Sequence, residues 1–167
     1  HQARGCQQHD PGEDSAHRAE YGERDQRAGD LPEEDFQHVL GPDDSLADAT
    51  AALRDHGVGA LVVSRDGRTI DGIVSERDVV RALAAHGGST LGRNVASAMS
   101  TTVTTCHGHD TVDHMMAMMT ERRIRHLPVV DDQGQLAGII SIGDVVKARV
   151  GQLEIENDQL HDYIQAR

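Results

Sequence analysis

The chain has 167 residues and carries 28 acidic against 16 basic side chains, a formal charge of -12 at pH 7. That balance excludes general affinity for nucleic acid or anionic membranes and requires any phosphate site to be locally basic. One Phe, two Tyr and no Trp leave the core to Val, Ile, Leu, Ala and Met and exclude an aromatic platform for stacked bases.

No run approaches the roughly 18 apolar residues that cross a bilayer, and the first residues lack a signal peptide's apolar centre. Cys6 and Cys106 form no CxxC pair, so no disulfide framework is expected. A cytoplasmic location is the expectation. Residues 1–30 contain no Val, Ile, Leu, Met or Phe, and such a stretch buries too little surface to offset its ordering entropy. Residues 1–35 are read as a disordered segment.

Sliding the chain along itself reveals a repeat at an offset of 66 residues, the signature to seek before any other. Asp44 meets Asp110, Leu61 meets Leu127, Val63 meets Val129, and Gly72-Ile73 meets Gly138-Ile139. Ser75 then meets Ser141, and Asp78-Val79-Val80 meets Asp144-Val145-Val146. The first repeat is placed at 36–92 and the second at 93–148.

Asp44 or Ser45 can cap a helix whose Leu46, Ala49 and Leu53 recur at helical spacing. A strand follows at Ala60 to Val63, a turn at Asp66-Gly67, and a second strand at Ile70 to Val74. A second helix starts near Ser75. The later repeat shows the same order: Asp110 or Thr111 before Val112, Met115 and Met119, then Leu127 to Val130, Leu136 to Ile140, and a helix near Ser141. Met115 and Met119 fall on the apolar stripe, so the Met cluster is read as core.

Each repeat places Ser-x-x-Asp where an apolar strand runs into a helix: Ser75-Glu76-Arg77-Asp78 and Ser141-Ile142-Gly143-Asp144. One reading is a helix cap, with serine and aspartate satisfying orphan N–H groups. The other is a phosphate and ribose site, because a helix start offers free N–H groups and a carboxylate one turn along can accept from a diol. The readings are compatible.

The doubled Gly-Ile-Val-Ser-Glu-Arg-Asp and Gly-Ile-Ile-Ser-Ile-Gly-Asp, with Arg123-Ile124-Arg125-His126-Leu127-Pro128-Val129-Val130, resemble the CBS-domain (Bateman) family over about residues 40 to 148. The resemblance implies a mixed α/β (α+β) fold, in which tandem CBS-like repeats pack about a pseudo-twofold axis with adenosyl-ligand clefts between them. It implies that Asp78 and Asp144 hold ribose hydroxyls, that Ser75 and Ser141 meet phosphate, and that Arg125 and His126 contact phosphate, with Arg122 and Arg123 nearby. Thr101 to Thr104, including Thr102 and Val103, resemble the strand offering backbone groups to adenine. Their counterparts Asp35 to His38 lack the expected β-branched residues, so the fuller site is expected around Asp144, with unequal occupancy.

From Val146, the positions Val150, Leu153, Asn157, Leu160 and Ile164 follow at heptad spacing, which predicts an extended C-terminal helix over 149–167 that pairs in a homodimer. The alternative is a helix packed on its own domain, with Gly151 interrupting it.

The expected function is a regulatory module that senses an adenosine nucleotide (AMP, ADP, ATP or a related adenosyl ligand) and signals to an unidentified partner protein. No catalytic residues, no resident cofactor and no metal are expected. Two alternatives stand beside it. One is a structural or interaction dimer without ligand; the other is a metal or redox sensor through Cys106 and the nearby His107, His109 and His114.

Overall fold

The computed structural model describes residues 27–28 and 39–165. The first repeat comprises β1 (Val39–Leu40), α1 (Leu46–His56), β2 (Ala60–Val63), β3 (Gly72–Ser75) and α2 (Glu76–His86). Two 3-10 turns, Gly87–Gly92 and Val95–Ser97, lead to the second repeat: β4 (Cys106–His107), α3 (Val112–Arg122), β5 (His126–Val130), β6 (Leu136–Ser141) and α4 (Ile142–Gln165). Each repeat builds one three-stranded sheet, with β2 or β5 in the centre, parallel to the two-residue strand before it and antiparallel to the strand after it.

Local chemistry explains the helix starts. Ser45 Oγ accepts from the Asp48 N–H at 3.1 Å while the Asp48 carboxylate accepts from the Ser45 N–H at 3.1 Å, a reciprocal capping box for α1. Thr111 Oγ1 accepts from the His114 N–H at 3.3 Å to start α3. Asp44 serves one residue earlier, closing the preceding turn by accepting from the Gly41 N–H at 2.7 Å, and Asp110 does the same for the His107 N–H at 2.8 Å.

The helix stripes meet the sheets as their spacing requires. Leu46, Ala49 and Leu53 pack with Leu61, Val63, Val74 and Val79. Met115 and Met119 join Val112, Leu127, Val129, Ile140 and Val145 in the second core, where unbranched thioethers fill space well. Where the repeats meet, the Leu136 N–H donates to the Arg68 carbonyl at 2.8 Å, and a Cβ on Gly59 would lie 2.9 Å from the His126 ring.

Segments before each first strand cross to the other repeat. Val95, which precedes the first strand of the second repeat, is fully buried in the first core, and its N–H donates to the Asp44 carbonyl at 2.8 Å. Ala28, which precedes the first repeat, is fully buried in the second core, and its N–H donates to the Asp110 carbonyl at 2.8 Å. Ser45 bridges Asn94 as Thr111 bridges Arg27. The rest of the segment expected to be disordered, 1–26 and 29–35, lies outside the described residues, but Arg27 and Ala28 depart from that expectation because Ala28 fills a place in the second core.

Ala28→Asp should therefore lower the folding stability by about 1–3 kcal/mol, because a carboxylate there would be buried without a partner. The same substitution at the exposed Ala96 should stay within about 0.5 kcal/mol. Thermal unfolding of the two variants checks both.

Candidate functional site

The β3 to α2 junction sets the first Ser-x-x-Asp. Asp78 Oδ2 accepts from the Ser75 N–H at 2.9 Å and from the Ser75 hydroxyl at 2.5 Å. The second copy matches it, with Asp144 Oδ2 accepting from the Ser141 N–H at 3.0 Å and the Ser141 hydroxyl at 2.5 Å. The cap reading is thus realised in both repeats. It also limits the serines: a hydroxyl has one proton to donate, and here the carboxylate takes it. A phosphate at this junction would rely on other donors, whereas Asp78 Oδ1, which faces Arg81 Nη1 at 3.9 Å, retains lone pairs for a ribose diol.

Gly72 explains how a second wall arrives. Ile73 and Ser100 exchange backbone hydrogen bonds, N–H to carbonyl, at 3.0 and 2.9 Å. A Cβ on Gly72 would sit 2.7 Å from Met99 Sδ and 3.0 Å from the Ser100 carbonyl oxygen, so only glycine admits the linker at this distance. The linker then carries Thr102, Val103 and Thr104 alongside the junction. Among the described residues, their backbone groups enter no hydrogen bond, which leaves donors and acceptors for the edge of a ligand.

The result is an open cleft of about 480 Å³ lined by Gly59, Ile73, residues 75–78, Arg81, Ser100, residues 102–104 and residues 122–126, within the usual size range of small-molecule sites. It gathers Ser75, Asp78, Thr102, Val103, Arg125 and His126 from both repeats; Ser141 and Asp144 do not line it. This corrects two expectations. Thr101 to Thr104 form no strand, since pairing with β5 begins only at Cys106, opposite Val129. They also stand beside Asp78 instead of Asp144, because the linker crosses β3, so this wall belongs to the first motif. The counterpart, Asp35 to His38, lies outside the described residues.

Arg77 and Arg81 were given no role from the sequence, yet both line the cleft. Their i, i+4 spacing on a helix that starts at the motif puts them on one face, a readable signal. With Arg122, Arg123 and Arg125 they oppose Glu76 and Asp78, leaving a formal excess of three positive charges.

The alternative of a metal or redox site at Cys106 finds no supporting geometry among the described residues. Burial pushes the Cys106 thiol up to about 12, with Asp110 adding to the effect, so the thiolate that binds metals or reacts is disfavoured. Among the described residues no group of three His, Cys, Asp or Glu side chains is placed to hold a metal, and the rings of His107 and His109 stack at 5.2 Å instead of converging. Among the described residues no helix is long and apolar enough to cross a membrane.

His126 lies half-buried at the meeting of the repeats. Burial holds its pKa below the ordinary value and Arg125 adds to this, while Glu76 and Asp144 oppose it. Because its folded-state value is depressed, the unfolded chain binds more protons at mildly acidic pH. This contribution is complete above about pH 6.5 and is lost as the pH falls through the folded-state value. His126→Gln should flatten the decline of the melting temperature between about pH 7 and 5; equal slopes in variant and parent would assign the decline to other groups.

The family model of the CBS domain matches residues 28–85 and 95–151, starting in each case at the buried residue that crosses to the other repeat. The mitochondrial CBS domain-containing protein CBSX3 of Arabidopsis thaliana is 39% identical over 127 residues, covering 74% of this chain. The chain spans only 61% of that relative's length. The crystal structure of the CBS-domain protein ATU1752 from Agrobacterium tumefaciens superposes with a TM-score of 0.69 at 40% identity, covering 77% of this chain and 97% of the other. CBSX2 of Arabidopsis thaliana, solved in complex with AMP, superposes with a TM-score of 0.66 at 29% identity, covering 77% of this chain and 98% of the other.

Proposed function

Because the chain belongs to the CBS-domain family, we propose that it is a regulatory module that binds an adenosine-containing ligand in the Asp78 cleft and passes the bound state to a partner protein. The observation that carries this reading is the convergence of Asp78, the unbonded backbone of Thr102–Thr104 and several arginines on one cleft between the repeats. AMP bound to CBSX2 supports the adenosyl class. The carboxylate takes the ribose diol, the linker backbone reads the base edge beside Ile73, Val103 and Ile124, and the arginines take phosphate. No reaction is assigned to the module, and its site of action is taken to be the cytoplasm.

A ligand that binds only the native state raises stability by mass action, by about 2.7 kcal/mol at a hundredfold excess over Kd. Thermal unfolding of the full chain with AMP, ADP, ATP and S-adenosylmethionine should show an upward shift with at least one of them. Asp78→Asn keeps an acceptor for the helix cap but removes the charge, and should weaken that ligand about tenfold or more. Absence of any shift at about 1 mM, where weak binders still register, would discard the reading.

The same proposal includes a homodimer. α4 continues unbroken through Gly151 to Gln165, and Val146, Val150, Leu153, Leu160 and Ile164 are exposed along it, as an unpaired heptad seam would be. Sedimentation should give a dimer for the parent chain and a monomer for Leu153→Glu/Leu160→Glu; a monomeric parent would remove the dimer from the proposal.

A further inference from the structure

Four of the cleft's five arginines, Arg77, Arg122, Arg123 and Arg125, are exposed and, among the described residues, make neither ion pair nor hydrogen bond through their side chains. Bringing unneutralised like charges together costs energy, and in a chain of net charge -12 composition alone does not produce it. The fold does not demand it either. At the 66-residue offset, Arg77 corresponds to Gly143, Arg122 to His56, Arg123 to Gly57 and Arg125 to Gly59. Only Arg81 has a counterpart of permanent positive charge, Lys147.

Arg123 adds a backbone argument. It closes α3 in the left-handed region at φ 55°, and the equivalent closure of α1 at φ 67° uses Gly57. A side chain with a Cβ is disfavoured there, so the second repeat holds an arginine where the fold's own preference is glycine. Such an exception at a cleft points to function.

We infer that the Asp78 cleft selects a nucleoside bearing a chain of at least two phosphates over the monophosphate and over uncharged or cationic adenosyl ligands. This rests on the adenosyl-ligand reading above and sharpens it. The guanidinium groups come from two sides, Arg77 and Arg81 from α2 and the others from the end of α3 and the turn into β5, so a longer phosphate chain has more of them to engage than a single phosphate has. Ser75, its proton committed to Asp78, leaves the phosphate contacts to these forks, which bind phosphate oxygens bidentately. The exposed setting makes the preference sensitive to salt.

Calorimetric titration of the full chain with adenosine, AMP, ADP and ATP tests this at low and high ionic strength. Affinity should rise about tenfold or more from AMP to ATP at low salt, and the advantage should shrink at high salt. Arg77→Gln/Arg125→Gln should weaken ATP by a larger factor than it weakens AMP and so erase most of that advantage. AMP or adenosine binding as tightly as ATP, or an ATP advantage that survives the double substitution, would overturn the inference and leave the adenosyl reading standing. Binding of none of the four would overturn both.

Discussion

Two backbone hydrogen bonds of 2.8 Å, Val95 to Asp44 and Ala28 to Asp110, tie the molecule into one unit. Each closes the approach to a helix in one repeat with a segment that leads into the other, and each delivers a fully buried side chain to the recipient core. A repeat of some sixty residues holds a marginal core by itself, and this exchange makes the neighbour a structural component. The cleft follows from the same crossing, because the chain that leaves Val95 runs over β3 at Ser100 and must then pass Asp78 on its way to β4.

Around that cleft the two repeats have diverged in chemistry while keeping one architecture. The strand order, the pairing and the Ser-x-x-Asp hydrogen bonds are duplicated almost bond for bond. The side chains facing the first motif are arginines, whereas the positions equivalent to them in the other half are largely glycine. A duplicated scaffold can therefore carry unlike sites, since the bonds that hold the fold are not the groups that set the charge. Cys106 shows the converse: beside several histidines in sequence, it is fully buried among apolar neighbours and serves the core.

Most of the fold was legible because caps and stripes are local. Ser45 and Thr111, the Leu46, Ala49, Leu53 set and the Met115, Met119 pair state their roles within a turn of chain, and the offset of 66 residues repeats the message. The site was legible as a set of side chains but not as a grouping. Thr102 and Val103 look as though they belong with the repeat they introduce, and nothing within a few residues announces that Gly72 lets the linker cross β3 first. Val39–Leu40 and Cys106–His107 escaped notice for another reason: a two-residue strand has no period to detect. Ala28 lay hidden in a polar stretch, since one small residue in the right place contributes more than the average of its surroundings suggests.

Helix α4 joins two of these features end to end. Its first turn holds Asp144, locked to Ser141, and its 24 residues make a rod about 36 Å long. Only the near part, around Val145 and Ala148, is clamped in the core, while Leu160, Tyr163 and Ile164 at the far part stand clear of it. A rod held at one end converts a small tilt at its root into a larger sweep at its tip, in proportion to the free length. Whatever grips the distal turns thus takes hold of a lever whose fulcrum is the second repeat's core.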